Sequence, residues 1–560
     1  MNKQLYSLLL ILYSINISAQ SFHWAKGIGS KGDESGNSLV VDKWGNSYTT
    51  GKFEGTMDFD PGIGTFNLTS QGESDIFILK LDASGNFLWA KRIGGIVNDI
   101  GKSIAVDNSG NVYISGSFSG EVDFDPSAGI FMLFPRNSGN LFLLKLDALG
   151  NFKWAKTNNT FNKDLAVDIN DNVYITGVFS GMVDFNPSLD TFYLTSKGND
   201  IYVLKLDSSG KFIFAKSFIG VENNYNGVSS ISIDKFENIY TNGIFGDTVD
   251  FDPGSGIYNL VSNYTKDVFV SKLDANGNLK WVKSIEGSKN IYSSDLVVNN
   301  SGDVYLTGYF NEKADFNPDK DSFNLFSNGG MDIFVTKLNS SGNFIWAKSM
   351  GGEEYDYGNS IAIDVSDNVY TTGFFSNTVD FDPGLGVSEL SVVGFVNYSD
   401  AFISKLDSLG NFSWATQIGS YTYDQGNCIS TDGLGNIYTT GYFGGVVQLG
   451  EGWDNIELTS SGLSDIFISK LRPKSADVNE IKYESPFSVF PNPSENIINI
   501  NIQKELLGSS FFIINTIGQV VSSGQLKSQN TSVDLSTLTP GLYLINIEGK
   551  LTSSLKIIKL

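Results

Sequence analysis

Three short motifs recur seven times along the chain, at intervals of about 65 residues. The first is Trp-Ala-Lys or a close variant, and its copies begin at Trp24, Trp89, Trp154, Phe214, Trp281, Trp346 and Trp414. The second is an apolar segment similar to NVYITG, and its tyrosines are Tyr48, Tyr113, Tyr174, Tyr240, Tyr305, Tyr370 and Tyr438. The third resembles DIFILKLD, which stands first at residues 75–82. An internal repeat of this length restricts the fold to an array of similar supersecondary units.

Each repeat is typical of four short β-strands. In the second repeat, residues 103–107 and 112–116 flank one turn, and residues 141–147 and 152–156 flank another. The turns share the form Asp-x-x-Gly-Asn, in which Asp can bind backbone amides and Gly accepts the positive φ of a tight hairpin. The 60 glycines and the 13% of aromatic residues also favour short strands and turns over helices.

The order of the strands predicts a closed ring. The repeat array begins at residues 22–29 with the fourth strand of a unit, and it ends at residues 465–471 with a third strand. Pairing of these two segments would complete the seventh unit and remove two open sheet edges. We therefore predict an all-β fold in which residues 20–472 form a seven-bladed β-propeller closed by its N- and C-terminal strands.

The repeat also resembles a known family. Residues 351–373 contain Gly-Gly, then DYGNSIAID, then DNVYTTG, and this pattern resembles the SBBP-type β-propeller repeat. All seven units resemble it. The resemblance implies the fold and leaves the activity open.

The two ends of the chain predict export. Residues 1–19 carry Lys3, an apolar run and then Ser18-Ala19, which is typical of a signal peptide cleaved after Ala19. Residues 473–484 form a polar linker, and the alternating pattern of residues 485–560 predicts a small β-sandwich. We expect no transmembrane segment in the mature protein, because no other stretch has a comparable apolar length.

The last segment resembles the C-terminal sorting domain (Por-type, type A) of type IX secretion. The resemblance lies in Pro491-Asn492-Pro493, in Gly541-Leu542-Tyr543 and in the basic, apolar end from Lys556 to Leu560. It implies that the secretion machinery is a partner and that the protein crosses the periplasm and outer membrane of a Gram-negative bacterium to the cell surface or the medium. The alternative is an ordinary accessory β-domain.

Composition excludes several function classes. The net charge is −23 and no Lys/Arg cluster occurs, so we expect no nucleic-acid partner. Cys428 and His23 are single representatives of their kinds, which excludes an internal disulfide and a His/Cys zinc site. Arg92, Arg136 and Arg472 are too few for an arginine cluster that binds acidic sugars in an active site. We assign no catalytic residue and expect a monomer.

An acidic motif, Asp-Phe-Asp-Pro, is a candidate metal site. Its aspartates are Asp58 and Asp60, Asp123 and Asp125, Asp250 and Asp252, and Asp380 and Asp382. Both carboxylates would lie on one face of a strand, where their oxygens could bind Ca²⁺. The other interpretation is that Phe anchors a hairpin while the acids bind the turn. We prefer it, because Asn186 and Asn317 replace the second aspartate in two units and the full spacing of a Ca²⁺ loop is absent. No other cofactor is expected.

The loops that follow the Trp-Ala-Lys strands are candidates for ligand binding. Tyrosines occur there only in the later repeats: Tyr225, Tyr292, Tyr355, Tyr357, Tyr421 and Tyr423. They could form an aromatic surface on one side of a propeller face, or they could pack between blades. We therefore expect a non-catalytic glycan- or protein-binding module or scaffold. The alternative is a carboxylate-dependent, glycosidase-like hydrolase on that face, in which one region should carry unusual acids.

Overall fold

The computed structural model describes residues 20–135, 141–221, 226–262, 266–319, 321–395, 398–450, 456–473, 487–515, 519–547 and 553–560. The predicted signal peptide and almost all of the predicted linker lie outside these residues. The chain divides into two compact units, Met1–Lys474 and Ser475–Leu560. The described residues form β-strands and one 3₁₀ turn without an α-helix, which confirms the all-β prediction.

The first unit begins with β1 (Gln20–Ile28) and continues through sheets of a common plan. Sheet 1 contains β2 (Ser35–Val41), β3 (Ser47–Asp58), β4 (Asn67–Leu81) and β5 (Phe87–Ile93). Sheet 2 contains β6 (Ile100–Val106), β7 (Val112–Ser117), the small hairpin β8 (Val122–Asp123) and β9 (Met132–Leu133), then β10 (Leu141–Leu146) and β11 (Phe152–Asn158). Sheet 3 contains β12 (Phe161–Val167), β13 (Val173–Phe179), the hairpin β14 (Met182–Asp184) and β15 (Tyr193–Thr195), then β16 (Asp200–Leu206) and β17 (Phe212–Gly220).

The same plan continues through the rest of the unit. Sheet 4 contains β18 (Gly227–Ile233), β19 (Ile239–Phe245), β22 (Asp267–Leu273) and β23 (Leu279–Gly287). The hairpin β20 (Thr248–Asp250) and β21 (Asn259–Val261) follows β19 in the chain and pairs with β17 of sheet 3. Sheet 5 contains β24 (Ile291–Val298), β25 (Val304–Asp315), β26 (Asn324–Leu338) and β27 (Phe344–Met350). Sheet 6 contains β28 (Tyr357–Ile363), β29 (Val369–Ser376), the hairpin β30 (Thr378–Asp380) and β31 (Glu389–Ser391), then β32 (Ser399–Leu406) and β33 (Phe412–Ile418). Sheet 7 contains β34 (Gln425–Thr431), β35 (Ile437–Phe443), the hairpin β36 (Val446–Leu449) and β37 (Ile456–Thr459), and β38 (Asp465–Pro473).

The first strand of the chain belongs to the last of these sheets. β1 pairs antiparallel with β38, from Gln20 opposite Pro473 to Ile28 opposite Ile466. The strand order of sheet 7 is therefore β1-β38-β35-β34, with β1 in the place that a fourth strand holds elsewhere. At the other edge of the sheet, the side-chain amide of Asn427 on β34 donates to the carbonyl of Gly36 on β2 at 2.9 Å.

The recurring motif residues hold one sheet against the next. Tyr48 is fully buried, and the Trp89 ring meets it edge-on with 6.3 Å between the ring centres. The indole N–H of Trp89 donates to the carbonyl of Ala148 in the following repeat at 3.3 Å. The ammonium group of Lys80 lies 4.7 Å from the centre of the Tyr48 ring, in position for a cation–π contact. The Lys–Tyr contact recurs in all seven repeats, and the indole bond to the following repeat also occurs at Trp24, Trp154, Trp281 and Trp346.

The second unit contains two antiparallel sheets. One consists of β39 (Phe487–Phe490), β40 (Ile497–Ile502) and β43 (Asn530–Asp534); the other consists of β41 (Ser510–Asn515), β42 (Val520–Gln525), β44 (Gly541–Ile547) and β45 (Ser553–Lys559). A 3₁₀ turn, Lys504–Leu506, lies between β40 and β41. Buried residues of both sheets, such as Ile500 and Ile545, belong to one hydrophobic cluster.

Candidate functional site

A cavity of about 920 Å³ lies where the first strands of all seven sheets meet. Each first strand carries a β-bulge that leaves one residue out of the pairing register. These bulge residues all line the cavity: Asn37, Lys102, Lys163, Ser229, Ser294, Asn359 and Asn427. Bulges redirect side chains and are frequent beside binding sites. We call this space the central cavity.

The residues that follow the bulges form a belt around the central cavity. The belt consists of Ser38, Ser103, Asp164, Ser230, Asp295, Ser360 and Cys428. Most members have small side chains with a hydroxyl or thiol group, and Asp164 and Asp295 are the exceptions. Cys428 packs against a hydrophobic cluster and also lines the cavity.

Hydrogen bonds join the two belt aspartates through one serine. The Ser230 hydroxyl lies 2.9 Å from Oδ2 of Asp164 and 2.8 Å from Oδ1 of Asp295. Asp164 also accepts from the Ser103 hydroxyl and from the backbone amides of Leu165 and Ile231. Burial raises the pKa of both carboxyl groups, and that of Asp295 reaches about 6, in part because Asp164 lies nearby.

Asp295 has an equally full set of donors. It accepts from the Ser360 hydroxyl at 2.8 Å and from the backbone amides of Leu296 and Ile361. Each aspartate thus links its own strand to the neighbouring first strands, since Ile231, Ser360 and Ile361 belong to adjacent sheets. This pattern is typical of a structural link between blades.

A row of four aromatic rings forms one wall of the central cavity: Tyr292, Tyr309, Tyr357 and Phe374. The centres of the Tyr309 and Tyr357 rings lie 3.9 Å apart with 5° between their planes. Tyr292 stacks on Tyr309 at 5.1 Å, and Phe374 lies 4.7 Å from Tyr357. Within the described residues none of the three tyrosine hydroxyls has a hydrogen-bond partner, so ring edges and free hydroxyls line this wall.

The structure separates the tyrosines that the sequence singled out. Tyr292 and Tyr357 lie on β24 and β28 in the aromatic row, and Tyr355 meets Tyr357 edge-on at 6.5 Å. Tyr423 lines a second cleft of about 570 Å³, together with Asp33 and Tyr442.

Two further tyrosines from that set fall elsewhere. Tyr421 is 66% exposed and lines neither the central cavity nor the cleft that contains Tyr423. Tyr225 lies outside the described residues. The candidate surface is therefore concentrated in sheets 5 and 6.

The Asp-Phe-Asp-Pro motif forms a tight hairpin loop. Oδ1 of Asp58 accepts the amide hydrogens of Asp60 at 3.0 Å and of Phe66 at 2.7 Å, and Asp60 accepts that of Gly62. The same bonds recur at Asp123 and Asp125, Asp250 and Asp252, and Asp380 and Asp382. The intervening Phe59 is fully buried. These contacts agree with the structural interpretation, and the candidate Ca²⁺ site at the motif stays the alternative hypothesis.

Within the described ranges, His, Cys, Asp and Glu side chains form no group of three that could hold a metal ion. Each described Asp-Phe-Asp-Pro loop therefore supplies two carboxylates, and no third acidic, histidine or cysteine side chain joins them as a possible metal ligand.

Four junctions between repeats contain a buried pair of carboxyl groups. The pairs are Glu34 with Asp465, Asp75 with Asp99, Asp332 with Asp356, and Asp400 with Asp424. Burial raises the pKa of each of these groups, and that of Asp400 reaches about 8 with a further contribution from Asp424. In the described residues one oxygen of Asp75, Asp332, Asp400 and Asp465 has no hydrogen-bond partner.

Sequence reasoning missed the belt aspartates, although the signal was present. Alignment of the repeats places Asp164 and Asp295 where four other repeats have serine. Tyr309 had a similar signal, because the residue after the Thr-Gly pair is aromatic only in repeats 5, 6 and 7. In both cases a few repeats carry a residue type that the other repeats lack at the same position, and this becomes visible only when the seven copies are aligned.

Comparison with known families agrees with the two-unit organisation. Residues 88–117 and 413–442 match the model of a family described as a beta-propeller repeat, SBBP. Residues 488–559 match that of a secretion system C-terminal sorting domain. The chain carries SBBP propeller repeats and ends in a sorting domain. The sorting domain implies export to the cell surface or the medium of a Gram-negative bacterium, and it implies contact with the secretion machinery.

Similar proteins cover the chain only in part. An uncharacterized WD repeat-containing protein, L264, of Acanthamoeba polyphaga mimivirus is 24% identical over 75% of this chain and 36% of its own length. Beta-agarase A of Zobellia galactanivorans is 30% identical over 16% of this chain and 18% of its own length. The chain thus spans about a third or less of the length of these relatives.

Among solved structures, the β-propeller domain of Myceliophteria thermophila Cps50 (Swd1) matches with 9% identity and a TM-score of 0.35. The match covers 80% of this chain and 99% of that one. The WD40 domain of Neurospora crassa Pan2 matches with 9% identity over 77% of this chain and 88% of that one, at a TM-score of 0.35. No helix of the described residues is long and apolar enough to cross a membrane.

Proposed function

We propose that the first unit is a closed seven-bladed propeller and that the second is a β-sandwich, so that the exported protein presents one rigid binding module. The pairing of β1 with β38 supports closure, as does the bond from Asn427 to Gly36 across the ends of the array. The shared hydrophobic cluster of the two C-terminal sheets supports the sandwich.

We further propose that the module binds a saccharide in the central cavity without transforming it. The observation that carries this proposal is the aromatic row with its three unpartnered tyrosine hydroxyls. Sugar hydroxyl groups can form hydrogen bonds with the phenol hydroxyls, and the C–H groups of a sugar ring can make apolar contact with the aromatic wall. The volume of about 920 Å³ is in the range of small-molecule sites, roughly 300–1,000 Å³.

A glycan-array measurement with the purified protein tests the proposal. We expect binding to at least one glycan class and loss of that binding in Tyr309→Ala, because Tyr309 is the centre of the row. Tyr193→Ala is the matched control, since Tyr193 is 54% exposed on β15 and lies outside the cavity lining. Equal retention by both variants would contradict a site at the aromatic row.

Hydrolysis by the belt aspartates is the second candidate. Asp164 and Asp295 depart from the other repeats, and burial raises the pKa of both, as a general acid requires. However, the Ser230 hydroxyl occupies the space between them, where a glycosidase would hold the scissile bond. Each carboxyl group also has three hydrogen-bond donors besides Ser230, so we rank this function second.

A glycosidase panel separates the two functions. We expect no turnover by the natural protein. Turnover that Asp164→Asn and Asp295→Asn each abolish, with folding retained, would favour the hydrolase over the binding module.

A further inference from the structure

Two lysines lie side by side in the central cavity. Lys102 and Lys163 are the bulge residues of the neighbouring strands β6 and β12, and both line the cavity. Within the described residues neither ammonium group forms an ion pair or a hydrogen bond. Lys102 and Lys163 therefore bring two unpaired positive charges into the lining of one cavity.

The surroundings of the pair leave its charge uncompensated. Burial lowers the pKa of the Lys102 ammonium group, and the positive charge of Lys163 lowers it further. Asp164 follows Lys163 in the chain, but its oxygens accept hydrogen bonds from Ser103, Ser230 and two backbone amides. Asp295, the other acid that lines the cavity, likewise contacts Ser230, Ser360 and two backbone amides. Since neither acid pairs with a lysine, an anionic occupant can supply the missing counter-charge.

We propose that the ligand of the central cavity is an acidic saccharide, whose carboxylate or sulfate group binds between Lys102 and Lys163 while its sugar rings lie along the aromatic row. This inference rests on the proposed function and adds the charge of the ligand. The lysines belong to sheets 2 and 3, and the row belongs to sheets 5 and 6, so one ligand would span the cavity.

Isothermal titration calorimetry on the full-length protein tests the inference with four probes. These are a galacturonic acid tetrasaccharide, a sulfated galactose tetrasaccharide, the unmodified galactose tetrasaccharide and sodium sulfate. We expect at least one acidic tetrasaccharide to bind about tenfold or more tighter than the neutral one, the size of effect that a charge-assisted contact provides. The two acidic probes distinguish carboxylate from sulfate recognition.

Two double variants locate the effect. Lys102→Gln/Lys163→Gln should lose the preference for the acidic probe, whereas Lys211→Gln/Lys280→Gln should keep it. The control removes the same charge from two exposed lysines that do not line the cavity. The first variant should melt no lower than the natural protein, because it removes a repulsion, and a structural role for the lysines would lower its melting temperature.

The other possible results of the titrations each contradict either the inference, the proposed function or both. Equal binding of acidic and neutral tetrasaccharides contradicts the inference and leaves the proposed function in place. If sodium sulfate binds as tightly as the acidic sugars, the sugar rings contribute nothing and the ligand is not a saccharide. If no probe binds, both the proposed function and this inference are contradicted. An acidic preference that survives Lys102→Gln/Lys163→Gln places the anion elsewhere and also overturns the inference.

Discussion

The hydroxyl of Ser230 contacts two carboxyl groups, yet a hydroxyl has one hydrogen to donate. It can therefore donate to Asp164 or to Asp295, and the other contact is a hydrogen bond only when that carboxyl group is protonated. The raised pKa of about 6 at Asp295 agrees with this requirement. When one of the two acids is protonated, the Ser230 hydroxyl can hydrogen-bond to both and so link sheets 3, 4 and 5.

We expect Ser230→Ala to lower the free energy of unfolding by about 1–3 kcal/mol, because one carboxyl group loses its donor and the other loses its acceptor in a buried position. Urea denaturation at pH 5 measures the change. Ser294→Ala is the control, since Ser294 is a bulge residue without a hydrogen bond in the described structure. An equal effect of the two substitutions would show that the bridge contributes no stability.

For the Asp-Phe-Asp-Pro loops we expect no change in melting temperature between a chelator and millimolar Ca²⁺. One oxygen of each aspartate already accepts amide hydrogens, and a pair of carboxylates supplies fewer than the six to eight ligands of Ca²⁺. Scanning calorimetry is the measurement. A rise with Ca²⁺ that Asp250→Asn/Asp252→Asn reduces would establish a metal site there.

At the scale of elements, β1 has the same contacts as the fourth strands of other sheets. Trp24 on β1 meets Tyr438 edge-on at 6.1 Å and donates to the carbonyl of Ala83 at 3.3 Å. Trp89 on β5 meets Tyr48 at 6.3 Å and donates to Ala148 at 3.3 Å. The strand nearest the N-terminus is therefore packed as an internal member of the array.

This equivalence predicts that both Trp24→Ala and Trp89→Ala lower the free energy of unfolding, by about 3–5 kcal/mol for the buried Trp24 and by less for the partly buried Trp89. The free energy of unfolding from chemical denaturation is the measurement. Deletion of residues 20–28 should cost more than either substitution. A negligible cost for Trp24→Ala beside a large cost for Trp89→Ala would mean that β1 does not close the array.

The strand pattern was largely predictable because local chemistry determines it. The Asp-x-x-Gly-Asn turns occur where expected; Asp42, for example, accepts the amide hydrogens of Trp44 and Asn46. The preferred interpretation placed a hairpin at the Asp-Phe-Asp-Pro loop, but the extent of its strands was not predicted, since they have only two or three residues in repeats 2, 3, 4 and 6.

The site was harder to predict than the strands. The bulges that turn Lys102 and Lys163 into the cavity depend on the pairing between strands. They cannot be recognised from the alternation of apolar and polar residues within a single strand. Tyr309 joins Tyr292 and Tyr357 only through contacts between different strands.

At the scale of the whole molecule, the sorting domain implies a testable route of export. Removal of residues 485–560 should leave the propeller inside the cell envelope, because the machinery would lose its recognition element. Cell fractionation with an antibody against the first unit measures the distribution. The full chain expressed in the same cells is the control, and equal surface delivery of the truncated form would contradict a sorting role.

The buried carboxyl pairs give the molecule a pH dependence of a definite sign. Burial raises the pKa of Asp99 and Asp332 to about 6, of Asp356 to about 7 and of Asp400 to about 8, above the ordinary value of 3.8. A group with a raised pKa contributes stability that is fully present below its unfolded pKa and is lost as pH rises through its folded pKa. The net charge of −23 acts in the same direction, because deprotonation adds to the repulsion.

We therefore expect the melting temperature to be higher near pH 5 than near pH 8, with each such carboxyl group contributing about 1.4 kcal/mol per pH unit between its two pKa values. Below about pH 4 the trend should reverse, because hydrogen bonds to the hairpin lower the pKa of Asp82 and Asp147, which lose their stabilising charge on protonation. Asp400→Asn mimics the protonated acid, so it should flatten the pH profile and raise stability at pH 8 relative to the natural protein. Asp60→Asn, in an exposed loop, is the control and should leave the profile unchanged. A melting temperature that is the same at pH 5 and pH 8, or a profile that Asp400→Asn does not flatten, would show that the pairs are not protonated in the folded protein.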